Sequence, residues 1–407
     1  MRLIKKALLV SAAILTTSPS AFAIPATDSA YITQEGSNGS ATITQLGSAD
    51  NASIFQGSAS ISSTASIYQD LSSDTETASV SQDNGSGNQS VIYQNGTFGQ
   101  ASSNQNGDDN NTHITQNNTW SETASIVQIG NFNTGNINQQ NTILDIAIIS
   151  QDGSGNNAIV GQSGTFNENA SQINIQQSGN GNSASSDQSY TFHENASIIQ
   201  NGDSNSGAIN EGSGAAFDAA SINQTGLGNN SIISQNFTWG EQNVIITQSG
   251  SNNYGSINQW YGLSDLAAGI NQNGDGNNAF IEQTGTYLNT AGISQNATNS
   301  RGEIYQTAGG YDIASITQEG DGHNALISQS GAYFVNESEA SINQTGTGNN
   351  GIINQSGDNI SAENHFASIY QNGQGNYANV DQAGVGKYAV VTQSGSFQYG
   401  SPHNLVE

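Results

Sequence analysis

Residues 268–283 read Ala268-Gly269-Ile270-Asn271-Gln272-Asn273-Gly274-Asp275-Gly276-Asn277-Asn278-Ala279-Phe280-Ile281-Glu282-Gln283, two copies of Ala-x-Ile-x-Gln joined by a Gly-x-Gly-Asn turn. Side chains alternate across a strand, so Ala268, Ile270 and Gln272 share one face, as do Ala279, Ile281 and Gln283, while Asn271, Phe280 and Glu282 point the other way. Gly274, Gly276 and Asn277 belong to the residue types that tolerate positive φ and let the chain reverse. The unit is a strand, a tight turn and a second strand.

The pair recurs at residues 147–162, 220–235, 314–329, 340–355 and 367–382. With the last residue of each strand as an anchor, 31 strands follow one another from Gln34 to Gln393, making about fifteen two-stranded coils. Beyond Gln105 the steps mostly alternate between 11 residues and a variable 12 to 16. Self-similarity at a period of 20 to 50 residues is the mark of a solenoid or array. The fold expected is all-β: a cross-β solenoid with two strands per coil and no capping element.

Composition agrees with one thin, continuous core. A chain of 407 residues with 33% hydrophobic content, 48 Gly and 3 Pro does not describe compact globular cores. Low hydrophobicity with a net charge of −27 also suits disorder, but a solvated chain has no need to hold Ile, Val and Ala to one strand face.

Residues 1–23 have the form of a secretory signal peptide, with Arg2, Lys5 and Lys6, an apolar run over residues 7–15, and Ala21-Phe22-Ala23 as the cleavage site. Residues 24–29 are then a short lead, 30–393 the repeats and 394–407 a tail. No stretch is long and apolar enough for a transmembrane helix, so the chain is not expected to be embedded in a membrane. Without the signal, Arg301 and Lys387 face 32 acids, a net −30, which makes nucleic acid and anionic lipid poor partners. Most acids are expected in solvated turns or at outward positions, where their repulsion would ease as pH falls or salt rises. With no Cys there is no disulfide or thiolate metal site.

Stacking is where the pattern leads. One coil cannot bury its own Ala and Ile, but coils about 4.8 Å apart place Ile270, Ile281, Ile316 and Ile327 on their counterparts above and below. The inward Gln residues would then hydrogen-bond along columns as amide ladders. They include Gln151, Gln162, Gln177, Gln188, Gln224, Gln235, Gln272, Gln283, Gln318, Gln329, Gln344, Gln355, Gln371 and Gln382. The first strand, with Ala30, Ile32 and Gln34, and the last, with Ala389, Val391 and Gln393, keep the inward pattern and serve as templates at each end. Docking the last strand of one molecule on the first of another gives a heterologous, non-closing contact and hence a filament.

The pattern Gln-x-Gly-x-Gly-Asn-x-Ala-x-x-x-Gln stands intact at residues 151–162, 177–188, 272–283 and 371–382 and closely resembles the repeat of curlins, the subunits of bacterial curli. The likeness covers about residues 30–393. It implies a secreted subunit that polymerises into extracellular amyloid fibres, the pili or fimbriae of a biofilm matrix, with roles in adhesion and cell aggregation. It further implies passage through the periplasm, a dedicated export machinery and a nucleator subunit. The chain departs from the family in lacking a Gly-rich export segment before the first repeat. His323 and Lys387 replace the motif's Asn at what are expected to be solvated turns.

Other readings compete with a fibre. Calcium-binding β-rolls share Gly-x-Gly turns but need Asp where this chain mostly has Asn. A monomeric glycan- or ice-binding solenoid would need a regular outward row, and the outward residues here are mixed. Catalysis has no nucleophile motif or clustered base to rest on, since His113, His193, His323, His365 and His403 lie in separate coils. No enzyme activity, cofactor or metal site is expected. Aromatic residues at the variable corner, among them Phe98, Trp120, Phe166, Phe192, Trp239, Tyr287 and Tyr333, are expected to pack as a column that shields the corner.

Overall fold

A computed structural model describes residues 14–17, 28–70, 75–164, 171–212, 214–215, 217–238, 240–262, 266–331, 337–357, 364–384 and 386–400. The described elements are all strands, with no helix. The chain divides into two units, Met1–Phe192 and His193–Glu407. Each is a β-solenoid in which alternate strands fall into two parallel sheets.

All 31 anchor positions lie in strands. In the first unit, one sheet carries Ser29–Gln34, Asn51–Ile61, Thr77–Ser86, Gln100–Asn106, Thr123–Asn131, Ile146–Ser154 and Gln172–Asn180. The other carries the strands between them. The second unit repeats the plan from Asn195–Asp203 to Tyr388–Ser396.

Register follows from the inward residues. Ile270 pairs with Ile293, Ile293 with Ile316, Ile316 with Ile342 and Ile342 with Ile369, so like lies on like along the stack. Ile281, Ile304 and Ile327 make the matching row in the facing sheet. A slip of one residue would turn the whole set out to water. These Ile are at most 2% exposed, and burying each contributes about 1.5–3 kcal/mol. Among the described pairings, the two register shifts fall between Gln56 and Ala59 and between Asn95 and Gly96, within the least regular copies.

The Gly-x-Gly corner is tighter than a loop. At Gly320 φ is +121°, and a Cβ there would lie 2.0 Å from the carbonyl oxygen of Gly346 in the next coil. Glycine is required by both backbone conformation and the approach of the neighbouring coil. Asn277 does not share that role: it has no positive φ and is buried.

Two short strands lie outside the anchored set. Ile14–Thr17, within the stretch read as a signal peptide, runs parallel to Thr42–Gln45 where the strand of a preceding coil would run. At the other extreme, Tyr399–Gly400 pair with Tyr377 and Ala378. The remainder of residues 1–27 and residues 401–407 lie outside the described residues.

Candidate functional site

The inward strand ends form amide ladders. In the first unit Gln34 Nε2 donates to Gln56 Oε1, and the chain of donors runs on through Gln82, Gln105, Gln128, Gln151 and Gln177. A second column runs from Gln45 to Gln188 by way of Gln162. In the second unit the columns run from Gln200 through Gln224, Gln272, Gln318, Gln344 and Gln371 to Gln393, and from Gln235 through Gln283, Gln329 and Gln355 to Gln382.

Every link points the same way, the earlier coil donating to the later. The second amide hydrogen fixes this sense: Gln318 Nε2 also donates to the Arg301 carbonyl at 2.9 Å, and a carbonyl only accepts. The ladders therefore run from an acceptor side at the earlier coils to a donor side at the later ones.

Glu211 interrupts one column. It pairs in register with Gln235, whose Oε1 is buried without a hydrogen-bond donor. A glutamine here would bring the amide N–H donors that a glutamate side chain lacks. Glu211→Gln is expected to raise stability by about 1–2 kcal/mol by supplying that donor. An unchanged denaturant midpoint would count against the ladder as a source of stability.

The residue two places before each inward Ala also points inward, and it builds two further columns. At the Gly-x-Gly corner this residue is mostly Asn. Asn277 N–H donates to Asn253 Oδ1 at 3.0 Å, while Asn253 Nδ2 donates to the Gly274 carbonyl at 2.7 Å. His323 takes the same place, 1% exposed. Its Nε2 bonds the Glu319 carbonyl at 2.9 Å, and its Nδ1 accepts the Asn349 N–H. That makes it the neutral Nε2–H tautomer, with its pKa lowered by burial. His323 thus accepts the following coil's N–H as an Asn does and bonds the carbonyl four residues earlier, as Asn253 bonds that of Ser249, in a buried corner rather than the solvated turn expected.

At the variable corner the equivalent residue is often an acid. In the first unit the column holds Asp28, Asp50, Glu76, Glu122 and Asp145; in the second, Glu194, Asp218 and Asp312, then Ser338, His365 and Lys387. Asp50, Glu76, Glu122, Asp145, Glu194, Asp218 and Asp312 are all at most 2% exposed. These seven are the exceptions to the expectation that most acids lie in solvated turns or at outward positions.

Asp50, Asp145, Glu194 and Asp312 accept backbone N–H groups of the following coil, Asp50 Oδ1 from Glu76 and Asp312 Oδ1 from Ser338 both at 3.1 Å, whereas Glu122 Oε1 accepts the Trp120 N–H of its own corner at 2.8 Å. This does not offset their burial. Desolvation, with Asp50 and Glu122 nearby, pushes Glu76 up to about 8. Desolvation likewise raises Glu122, Asp218 and Asp312 to about 7, against hydrogen bonds that pull the other way.

Sequence parity carried the signal for this column. Asp50-Asn51-Ala52, Glu76-Thr77-Ala78, Glu122-Thr123-Ala124 and Asp312-Ile313-Ala314 place the acid on the face of the Ala. The alternation simply continues one step before the strand.

Aromatic side chains meet in neighbouring pairs. Phe98 lies edge-on to Trp120, Phe237 stacks on Tyr261, Tyr287 meets Tyr311, and Phe217 stacks on His193. Phe166, Trp239 and Tyr333, expected in the same column, lie outside the described residues. The histidines do not converge: His113 bonds Thr115, while His323 and His365 sit in different corner columns. His403 lies outside the described residues.

An in-register solenoid of this kind fits a structural or adhesive role. No family model matches the chain, and no characterised protein matches it either.

Proposed function

We propose that the protein is a curlin-like structural subunit, non-catalytic, that is secreted and polymerises head-to-tail into amyloid fibres at the cell surface. Its principal partner is a second copy of itself, and the fibres serve adhesion and cell aggregation. By the same likeness, a nucleator subunit and an export machinery act on it before assembly.

One observation carries the reading. Among the described residues, Ser29–Gln34 is paired along one edge only, and so is Tyr388–Ser396, yet both keep the repeat's inward residues. Ala30, Ile32 and Gln34 are half-buried where their counterparts in inner coils are buried. Such an edge is completed by a strand of the same kind, and an unpaired, in-register edge is a ready template for one.

The strand Ile14–Thr17 gives the reading a testable corollary. It covers Thr42–Gln45, so loss of residues 1–23 would bare that edge. The chain beginning at Ile24 is expected to gain amyloid-dye fluorescence after a lag that sonicated fibres abolish. A chain retaining residues 1–23 is expected to elongate the same seeds several-fold more slowly. A mature chain that stays a single-molecule particle at high concentration, indifferent to seeds, would overturn the proposal.

A further inference from the structure

The acid column does not keep one sign along its length. Among the described residues it starts at Asp28, whose Oδ1 accepts the Asp50 N–H at 3.2 Å. It finishes at Lys387, whose N–H donates to His365 Nδ1 and whose carbonyl accepts from Phe366. Lys387 is one of only two cationic side chains after residue 23, and it stands at the corner where earlier coils place carboxylates. The sole ion pair among the described residues is Arg301–Glu303, so among those residues Lys387 has no carboxylate partner. Lys387 is partly exposed and sits immediately before Tyr388–Ser396, just as Asp28 immediately precedes Ser29–Gln34.

We infer that Lys387 of one molecule pairs with Asp28 of the next, fixing the register and direction of the junction between two copies of this chain. The inference rests on the head-to-tail reading above and adds the residues that select the correct end. Extending the pairing rule of the coils across the junction puts Ala30 on Ala389, Ile32 on Val391 and Gln34 on Gln393. That register necessarily sets Asp28 on Lys387.

The ladder sense agrees. Gln393 Nε2 bonds the carbonyls of Tyr377 and Gln398, as an inner Gln does, and lacks only the following amide. Gln34 donates to Gln56, leaving its oxygen toward the preceding side. Joining the same ends would instead bring Asp28 to Asp28 with acceptor opposed to acceptor, or Lys387 to Lys387 with donor opposed to donor. Like charges brought together in an interface suppress such wrong pairings.

The test uses the mature chain in seeded growth at low salt. Lys387→Glu and Asp28→Lys are each expected to slow elongation roughly tenfold, because each places like charges at the junction. The double variant is expected to recover, as is an equimolar mixture of the two single variants, in which every junction again joins opposite charges. Recovery on mixing separates a junction effect from a folding defect, since a misfolded chain gains nothing from a second one. If wild type elongates but both single variants match it, or if mixing restores nothing, the pairing is wrong while the fibre stands. If wild type itself does not elongate, the fibre reading fails first.

Discussion

Unfolding is expected to become markedly easier between pH 4 and pH 8, with the folded chain losing several kcal/mol of stability across that range. Glu76, Glu122, Asp218 and Asp312 ionise near 4 in an unfolded chain, but burial raises them to about 7–8 in the fold. Below pH 4 both states are protonated and these groups contribute no slope. Above it the unfolded chain releases protons that the folded one retains, so each group weakens the fold by up to about 1.4 kcal/mol per pH unit. The slope ends once the folded values are passed.

Salt separates this effect from repulsion among exposed acids. At 1 M the Debye length is about 3 Å, which screens turn charges but leaves a desolvated carboxylate almost untouched. The pH dependence of the denaturant midpoint should therefore survive in 1 M salt. It should flatten when Glu76 and Glu122 become Gln and Asp218 and Asp312 become Asn. A dependence that disappears in salt, or persists in that variant, would place the proton linkage on the surface instead.

The second large effect is expected at Gln318, which lies in the middle of a ladder and is fully buried. Gln318→Leu keeps the volume but leaves Gln344 Oε1 without its donor and removes one bond each from the Arg301 carbonyl and from Gln295 Nε2, which keeps the Asn278 and Ser300 carbonyls. At about 1–3 kcal/mol for the unmet Gln344 Oε1 and about 0.5–1.5 kcal/mol for each of the other two bonds, the loss should reach roughly 2–6 kcal/mol. That equals or exceeds the roughly 2–5 kcal/mol expected for Ile316→Ala in the same strand. The outward Ser315→Val should stay within about 0.5 kcal/mol. A Gln318→Leu chain that unfolds at the wild-type denaturant midpoint would mean that the amides merely fill space.

The strands were legible because period 2 and the recurring Gln are local signals. Ile270, Ile281, Ile316 and Ile327 needed no tertiary information to be placed inward, and their alignment with counterparts follows from a repeat that matches itself. The corners were harder. Asp312 and His323 look like ordinary turn residues when judged by type, and only the alternation carried past the start of the strand turns them inward. His323 shows why residue type misleads: its ring supplies the same donor and acceptor as the Asn it replaces. The position of Ile14–Thr17 beside Thr42–Gln45 had no signal at all, since that stretch lacks the repeat's Ala-x-Ile-x-Gln pattern.

The uniform sense of the amide ladders has an electrical consequence. A side-chain carboxamide, like a peptide unit, carries a dipole of about 3.5 D, and dipoles aligned head to tail add. In the second unit the columns ending at Gln393 and Gln382 contain eight and six such links, all with the same orientation. That unit is thus a permanent electret along its stacking axis, and an applied field would align it by a moment that owes nothing to its formal charges.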